Sequence, residues 1–194
     1  MRRHEIADHK ATWSTAMSDN RKLREALDAA SSLTDWNAYL DALESLRVQY
    51  GHEIAVLPDG KARLSRFNCY AHALGLWEHA DYISAVDRSS DSAIVDTVFV
   101  ESMIQSILLV KRSDQQPRAG DIALYYRDGR PTHAALVVSI GDTISLHSKW
   151  GGNEVHRHGL WEVPAMYGDC IRYFQQPKIS DTLKLLCSSQ DDNG

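Results

Sequence analysis

Cysteine is scarce in this chain of 194 residues: Cys69, Cys170 and Cys187 lie far apart, and no CxxC pair occurs. That spacing argues against a thiolate zinc knuckle or a disulfide scaffold and suits reduced thiols in a cytosolic setting. Long apolar runs are lacking as well. The longest, around Ile104 to Val110, is far short of the roughly 18–20 residues a membrane helix needs. After the basic start Met1-Arg2-Arg3, the stretch from Ile6 to Asn20 carries acids, histidine and polar side chains where a secretory leader has an apolar centre. The expectation is a chain with no membrane partner and no visible signal peptide, cytoplasmic or exported by a non-Sec route. Nor is positive charge in excess. Lys and Arg number 21 against 26 Asp and Glu, a net charge of −5, which argues against the broad phosphate contacts of a nucleic-acid partner.

What is present is the composition of a globular chain, 43% hydrophobic and 24% charged, long enough for one domain with an appended arm. Leu23, Ala26, Leu27 and Ala30 recur at three- and four-residue steps, as Trp36, Leu40, Leu43, Val48 and Tyr50 largely do, so two amphipathic helices are expected. Thr34 is the expected N-cap of the second, Asp35 suits its first turn, and Gly51 sits where a left-handed terminator is wanted. A turn at Pro58-Asp59-Gly60 then closes a helical arm over residues 1–58.

Residues 59–178 carry the chemistry. Asn68 is placed to cap a short helix from Cys69 to Trp77, and 93–109 read mainly as helix. From Gly120 the pattern turns to strands. Ile122 to Tyr126 and His133 to Ser139 flank Asp128-Gly129 as a hairpin, Thr143 to Trp150 follows the Gly141-Asp142 turn, and Cys170 to Phe174 is a further strand. The fold class is α+β, a helix bearing Cys69 on a small antiparallel sheet. Residues 179–194 are expected to be a partly disordered tail, polar from Ser188 onward.

A cysteine at a helix start is a candidate nucleophile, since free amides there favour the thiolate. Its base would be His133, at the start of a strand, and His147 on the next strand would orient that imidazole if cross-strand pairing set the two side by side. Lys149 and Trp150 are weighed as an anion contact and a stacking wall of a cleft against ordinary strand-end packing. His156-Arg157-His158 is weighed as a substrate-facing rim or a solvated loop, and His72, three residues after Cys69, as half of an incomplete metal pair. No metal or cofactor is called for.

This order of helix-start cysteine, strand-start histidine and polar residue on the adjacent strand resembles the NlpC-type branch of the papain-like cysteine peptidases and amidases. The resemblance implies an α+β fold with the nucleophile helix packed on an antiparallel sheet, Cys69 as nucleophile, His133 as base and then acid, and His147 as the orienting residue. Where that family more often shows Asp-Cys-Ser-Gly, this chain has Asn68-Cys69-Tyr70-Ala71, so Asn68 and Tyr70 become its candidate substrate contacts. The chain is also similar to uncharacterised bacterial proteins that share Asn-Cys, Pro-Thr-His-Ala-Ala, Ser-Lys-x-Gly and a later histidine. Here these are Asn68-Cys69, Pro131 to Ala135, Ser148-Lys149-Trp150-Gly151 and His158, within about residues 66–175. The expected activity is hydrolysis of an amide bond in a peptide or protein, cell-wall peptides among them, through an acyl-enzyme on Cys69. Deamidation, acyl transfer and a catalytically silent binding module remain the alternatives.

Overall fold

The computed structural model describes residues 20–57, 67–88, 95–114, 116–152 and 154–191. The turn expected at Pro58-Asp59-Gly60 and the polar stretch before Asn20 lie outside the described residues. The chain divides into two compact units, Met1–Ile54 with His158–Met166, and Ala55–Arg157 with Tyr167–Gly194.

The first unit is more than an N-terminal arm, because residues from a distant part of the chain complete it. Helix α1 spans 20–31 and buries Leu23, Leu27 and Ala30, the expected stripe. Helix α2 (Trp36–Tyr50) is capped by Asp35, whose carboxylate accepts from the Ala38 amide at 2.8 Å, and not by Thr34 as expected. Gly51 ends it in the left-handed conformation at φ 70°, its N–H donating to Arg47 O. The buried face of α2 is Tyr39 and Leu43, whereas Leu40 and Val48 are exposed. A step of one residue rotates a helical face by about 100°, so the expected stripe pointed to one side of the true one. The returning segment 158–166 is held by side chains of the helices. Arg24 donates to Val163 O and Pro164 O and lies over the Trp161 ring, and Asp28 accepts from Met166 N at 2.9 Å. Glu162 bridges the amides of Glu53 and Gly159.

The second unit holds the sheet, ordered β1 (Ala55–Leu57), β5 (Val155–Gly159), β4 (Ile144–Lys149), β3 (Arg130–Ile140), β2 (Ile122–Arg127) and β6 (Cys170–Phe174). The β2–β3 hairpin turns on Asp128 and Gly129, both with positive φ (52° and 80°), which matches the twist of antiparallel strands in the primed turn types. Just before β2, Asp121 is buried and takes two hydrogen bonds from the Arg112 guanidinium, at 2.9 and 2.7 Å, and one from the Arg118 amide. Helices α3 (Cys69–Ala73), α4 (Ala80–Arg88), α5 (Thr97–Gln105) and α6 (Ile179–Asp191) share one core with the strands, built around Tyr70, Ala71, Phe99, Met103, Ile122, Leu124, Ala134, Phe174 and Leu186. Two corrections follow. A tail was expected from residue 179, yet α6 buries Thr182, Leu183 and Leu186. The His156-Arg157-His158 run is strand β5, in which His156 and His158 are buried and Arg157 is exposed.

The C-terminal end of α5 is strained. Ile107 follows the C-cap Ser106 in the left-handed region at φ 61°, with its side chain 73% exposed. A branched Cβ there crowds the carbonyl oxygen at a cost of about 1–2 kcal/mol, and the exposed side chain returns little burial. Gly168 is the opposite case. At φ 113°, an added Cβ would stand 2.3 Å from Tyr126 O. Ile107→Gly should therefore raise the urea-unfolding free energy by about 1 kcal/mol. Gly168→Ala should lower it by at least about 2 kcal/mol in the same assay.

Candidate active site

The start of α3 is built by Asn68. Its side-chain oxygen accepts from the amides of Tyr70 and Ala71, both at 3.0 Å, and its Nδ2 donates to Val95 O at 2.6 Å. The oxygen is committed to the cap and Nδ2 to Val95 O, so Asn68 positions the start of α3. Tyr70 is committed as well. Its hydroxyl donates to Pro131 O at 2.9 Å, where Thr97 of α5 also donates, tying both helices to β3.

Which residues of β3 and β4 meet α3 follows from register. Leu124 pairs with Ala134 and Tyr125 with His133, and cross-strand partners share a face while neighbours along a strand alternate. Ala134 and Leu124 belong to the core formed with α3. On β4, His147 pairs with Leu136, two residues from Ala134, so His147 and Lys149 project to the α3 side. His133, three residues from Leu136, projects from the opposite face. His133 and His147 are therefore on opposite faces of the sheet, and the two histidines are not side by side. An imidazole on β3 would need to be at an even position to meet the helix.

On that opposite face His133 is 1% exposed and lies flat on Tyr167, with ring centroids 3.7 Å apart and planes 4° from parallel. Tyr167 is held there because Thr132, at the irregularity in the β2–β3 ladder, donates to Tyr167 O at 2.6 Å. Trp150 joins the same group. It stacks on His156 at 4.3 Å, meets Tyr167 edge-on, and donates from Nε1 to Ser148 Oγ. Buried to 1%, Trp150 is a packing residue of the sheet and not a cleft wall. His158 is also buried, belongs to the first unit, and contacts Gly159 O through Nδ1 at 2.8 Å.

The charged side chain that the sheet turns toward the start of α3 is Lys149. Its side chain is 1% exposed and its Nζ stands 4.7 Å from the centroid of the Phe67 ring, two residues before the cysteine. Burial pushes the Cys69 thiol up to about 11, opposed by the amides of Ala134, Tyr70 and Cys69 itself and by the charge of Lys149. Burial lowers the Lys149 ammonium in turn, opposed by Glu154 and by Cys69. Desolvation thus works against the charged form of each group. His147, half-buried on the same side of β4, is also held below its ordinary range by burial and then by Arg157, which keeps it neutral at neutral pH. His72 packs between Phe67 and Trp77. Among the described residues no group of three or more metal-ligating side chains occurs, and no helix is long and apolar enough to cross a membrane.

The sequence marked Lys149 as a substrate contact and gave no sign that it is buried over the Phe67 ring. The Ser-Lys-x-Gly motif marked the residue, and only the β4 register gives its direction. The Ala134 amide and the Phe67 ring have no signature that sequence could show. The family described as a domain of unknown function, DUF7689, matches residues 60–175 of the chain, which contain the Cys69–Lys149 pair. No curated protein and no solved structure matches it.

Because thiol form prevails, the rate of Cys69 alkylation by iodoacetamide should climb about tenfold per pH unit from about pH 7 to about pH 10. Peptide mass spectrometry of Cys69 checks this. A rate that levels off below about pH 8 would mean a preformed thiolate and refute the raised thiol.

Proposed function

The chain belongs to the DUF7689 family, and we propose that it is a cysteine-dependent acyl hydrolase, acting on an amide or ester carbonyl through an acyl-enzyme on Cys69. The observation that carries this reading is a half-buried thiol at the start of α3 with backbone amides directed at the sulfur, and a fully buried lysine whose Nζ lies over the Phe67 ring two residues before it. Burying an ammonium costs several kcal/mol, and perturbed titratable pairs of this kind concentrate at functional sites.

Lys149 is the general base in this mechanism, the role that the sequence assigned to His133. Its free amine takes the thiol proton as sulfur attacks the carbonyl carbon, so thiolate forms only as the new bond forms. The negative charge developing on the carbonyl oxygen is met by the Cys69 amide, with the Ala134 amide as second donor. The Lys149 ammonium then protonates the leaving group. Water, deprotonated by the same amine, releases the acyl group and restores the thiol. Burial beside Phe67 lowers the ammonium's pKa and Glu154 opposes that shift. His147 lies on the same side and can contact the leaving group.

A nucleophile helix laid on an antiparallel sheet is the arrangement of the papain-like enzymes, and peptide or protein amides, cell-wall peptides included, are the substrates that likeness favours. The different base sets this chain apart from the cysteine–histidine pattern of that group. With p-nitrophenyl acetate, the protein should release a burst of one nitrophenolate per chain, read by stopped-flow absorbance. Cys69→Ala should abolish the burst and Lys149→Met should slow it at least about a hundredfold. A burst that survives Cys69→Ala would overturn the reading by placing the nucleophile elsewhere, and none in the unaltered protein would leave the fold as a binding module.

A further inference from the structure

One imidazole remote from the candidate site is held in a single protonation state by its hydrogen bonds. His52 follows the Gly51 that ends α2 and is 5% exposed. Its Nε2 stands 3.1 Å from Leu43 O, which can only accept, so Nε2 carries the proton. Its Nδ1 stands 3.1 Å from the Ile54 nitrogen, whose N–H can only donate, so Nδ1 offers a lone pair. The neutral ring thus links the middle of α2 to the chain two residues beyond itself. A second proton, on Nδ1, would set two donors face to face and leave the buried Ile54 amide without its acceptor. The charges that face the ring are Arg47 and Glu44 on α2 and Glu162 on the returning segment. Both Glu162 oxygens are already engaged, one by the Glu53 amide at 3.0 Å and the other by the Gly159 amide at 2.8 Å.

We propose that His52 is an acid-opened clasp: a proton taken up at Nδ1 releases the Ile54 amide and loosens the chain that leaves α2 at residues 53–54. The imidazolium also gives Glu162 an opposite charge to approach, in competition with the Glu53 amide, so both backbone ties at 53–54 weaken together. Burial holds the ring below its ordinary range, with Arg47 adding to that effect, while the bond to Leu43 O and then the charge of Glu162 oppose it. The folded chain therefore prefers neutral His52 and the unfolded chain binds the proton more readily. Stability from the clasp is present above about pH 6.5 and is lost as pH falls through the lower value of the folded ring. Neither Cys69 nor its chemistry enters, so the clasp and the hydrolase reading stand or fall separately.

The test follows amide hydrogen exchange by NMR in the full chain, each rate being divided by its intrinsic value at that pH. Between about pH 7.5 and about pH 5, protection of the Ile54 amide should fall at least about fivefold, while that of the Leu43 amide in α2 holds within about twofold. The ring nitrogen shifts should show a proton on Nε2 alone at the upper pH and should titrate with the same midpoint. In His52→Asn the side-chain oxygen can accept from the Ile54 amide two residues on and does not titrate, so protection of Ile54 should not change with pH. Flat protection of Ile54 in the unaltered protein would overturn the clasp. An equal fall in His52→Asn would overturn it by placing the sensor elsewhere, and an equal fall at Leu43 by showing that the whole helix opens. A ring that carries its proton on Nδ1 at the upper pH would overturn it also.

Discussion

Everything chemical in this molecule depends on a rule of extended chains: a strand offers each side chain to one face, and its neighbours to the other. With Leu136 opposite His147 and Leu124 opposite Ala134, the face against α3 receives Ala134, His147 and Lys149. The other face receives His133. No rotamer can reverse that assignment, because a ring attached on one side of a central strand would have to pass through the sheet to reach the other. The α3 side is also where Asn68, by capping the helix and holding Val95 O, fixes the direction of Cys69.

Desolvation then sets the chemistry of the pair. A thiol and an amine in water would both be partly charged near neutrality or above it. Buried together, each disfavours its own ion and favours that of its neighbour, so charge separation is cheapest when both appear at once, within a proton transfer. The Phe67 ring under Nζ offers a weak electrostatic partner in place of water. The opposite face behaves differently. There the imidazoles of His133 and His156 lie flat on Tyr167 and Trp150, a stack that fills space and covers the sheet.

Two parts of the architecture were hard to read for a related reason. The segment 158–166 completes the unit of α1 and α2 through contacts such as Arg24 with Val163 O and Asp28 with Met166 N, partners more than a hundred residues apart in the chain. Strand β5 carries alternating buried histidines and an exposed arginine, a pattern that polarity alone marks as a loop. Burial of His156 is made affordable by stacking on Trp150, and nothing local to His156 announces that neighbour.

Local signals were enough for several elements. The Asp128-Gly129 turn determined its hairpin because so few residues adopt positive φ twice in succession, Gly51 ended α2, Asn68 opened α3, and Cys170–Phe174 is the strand that its composition foretold. These depend on backbone preferences that act over four or five residues. The grouping of the reactive residues did not follow in this way. Cys69, His133, His147 and Lys149 were all visible as reactive residues, but which of them share a face depends on the register between strands and on the helix that lies across them. Register is a long-range property, settled by which apolar positions the finished core encloses, and it put His147 and Lys149 on the α3 side and His133 on the other.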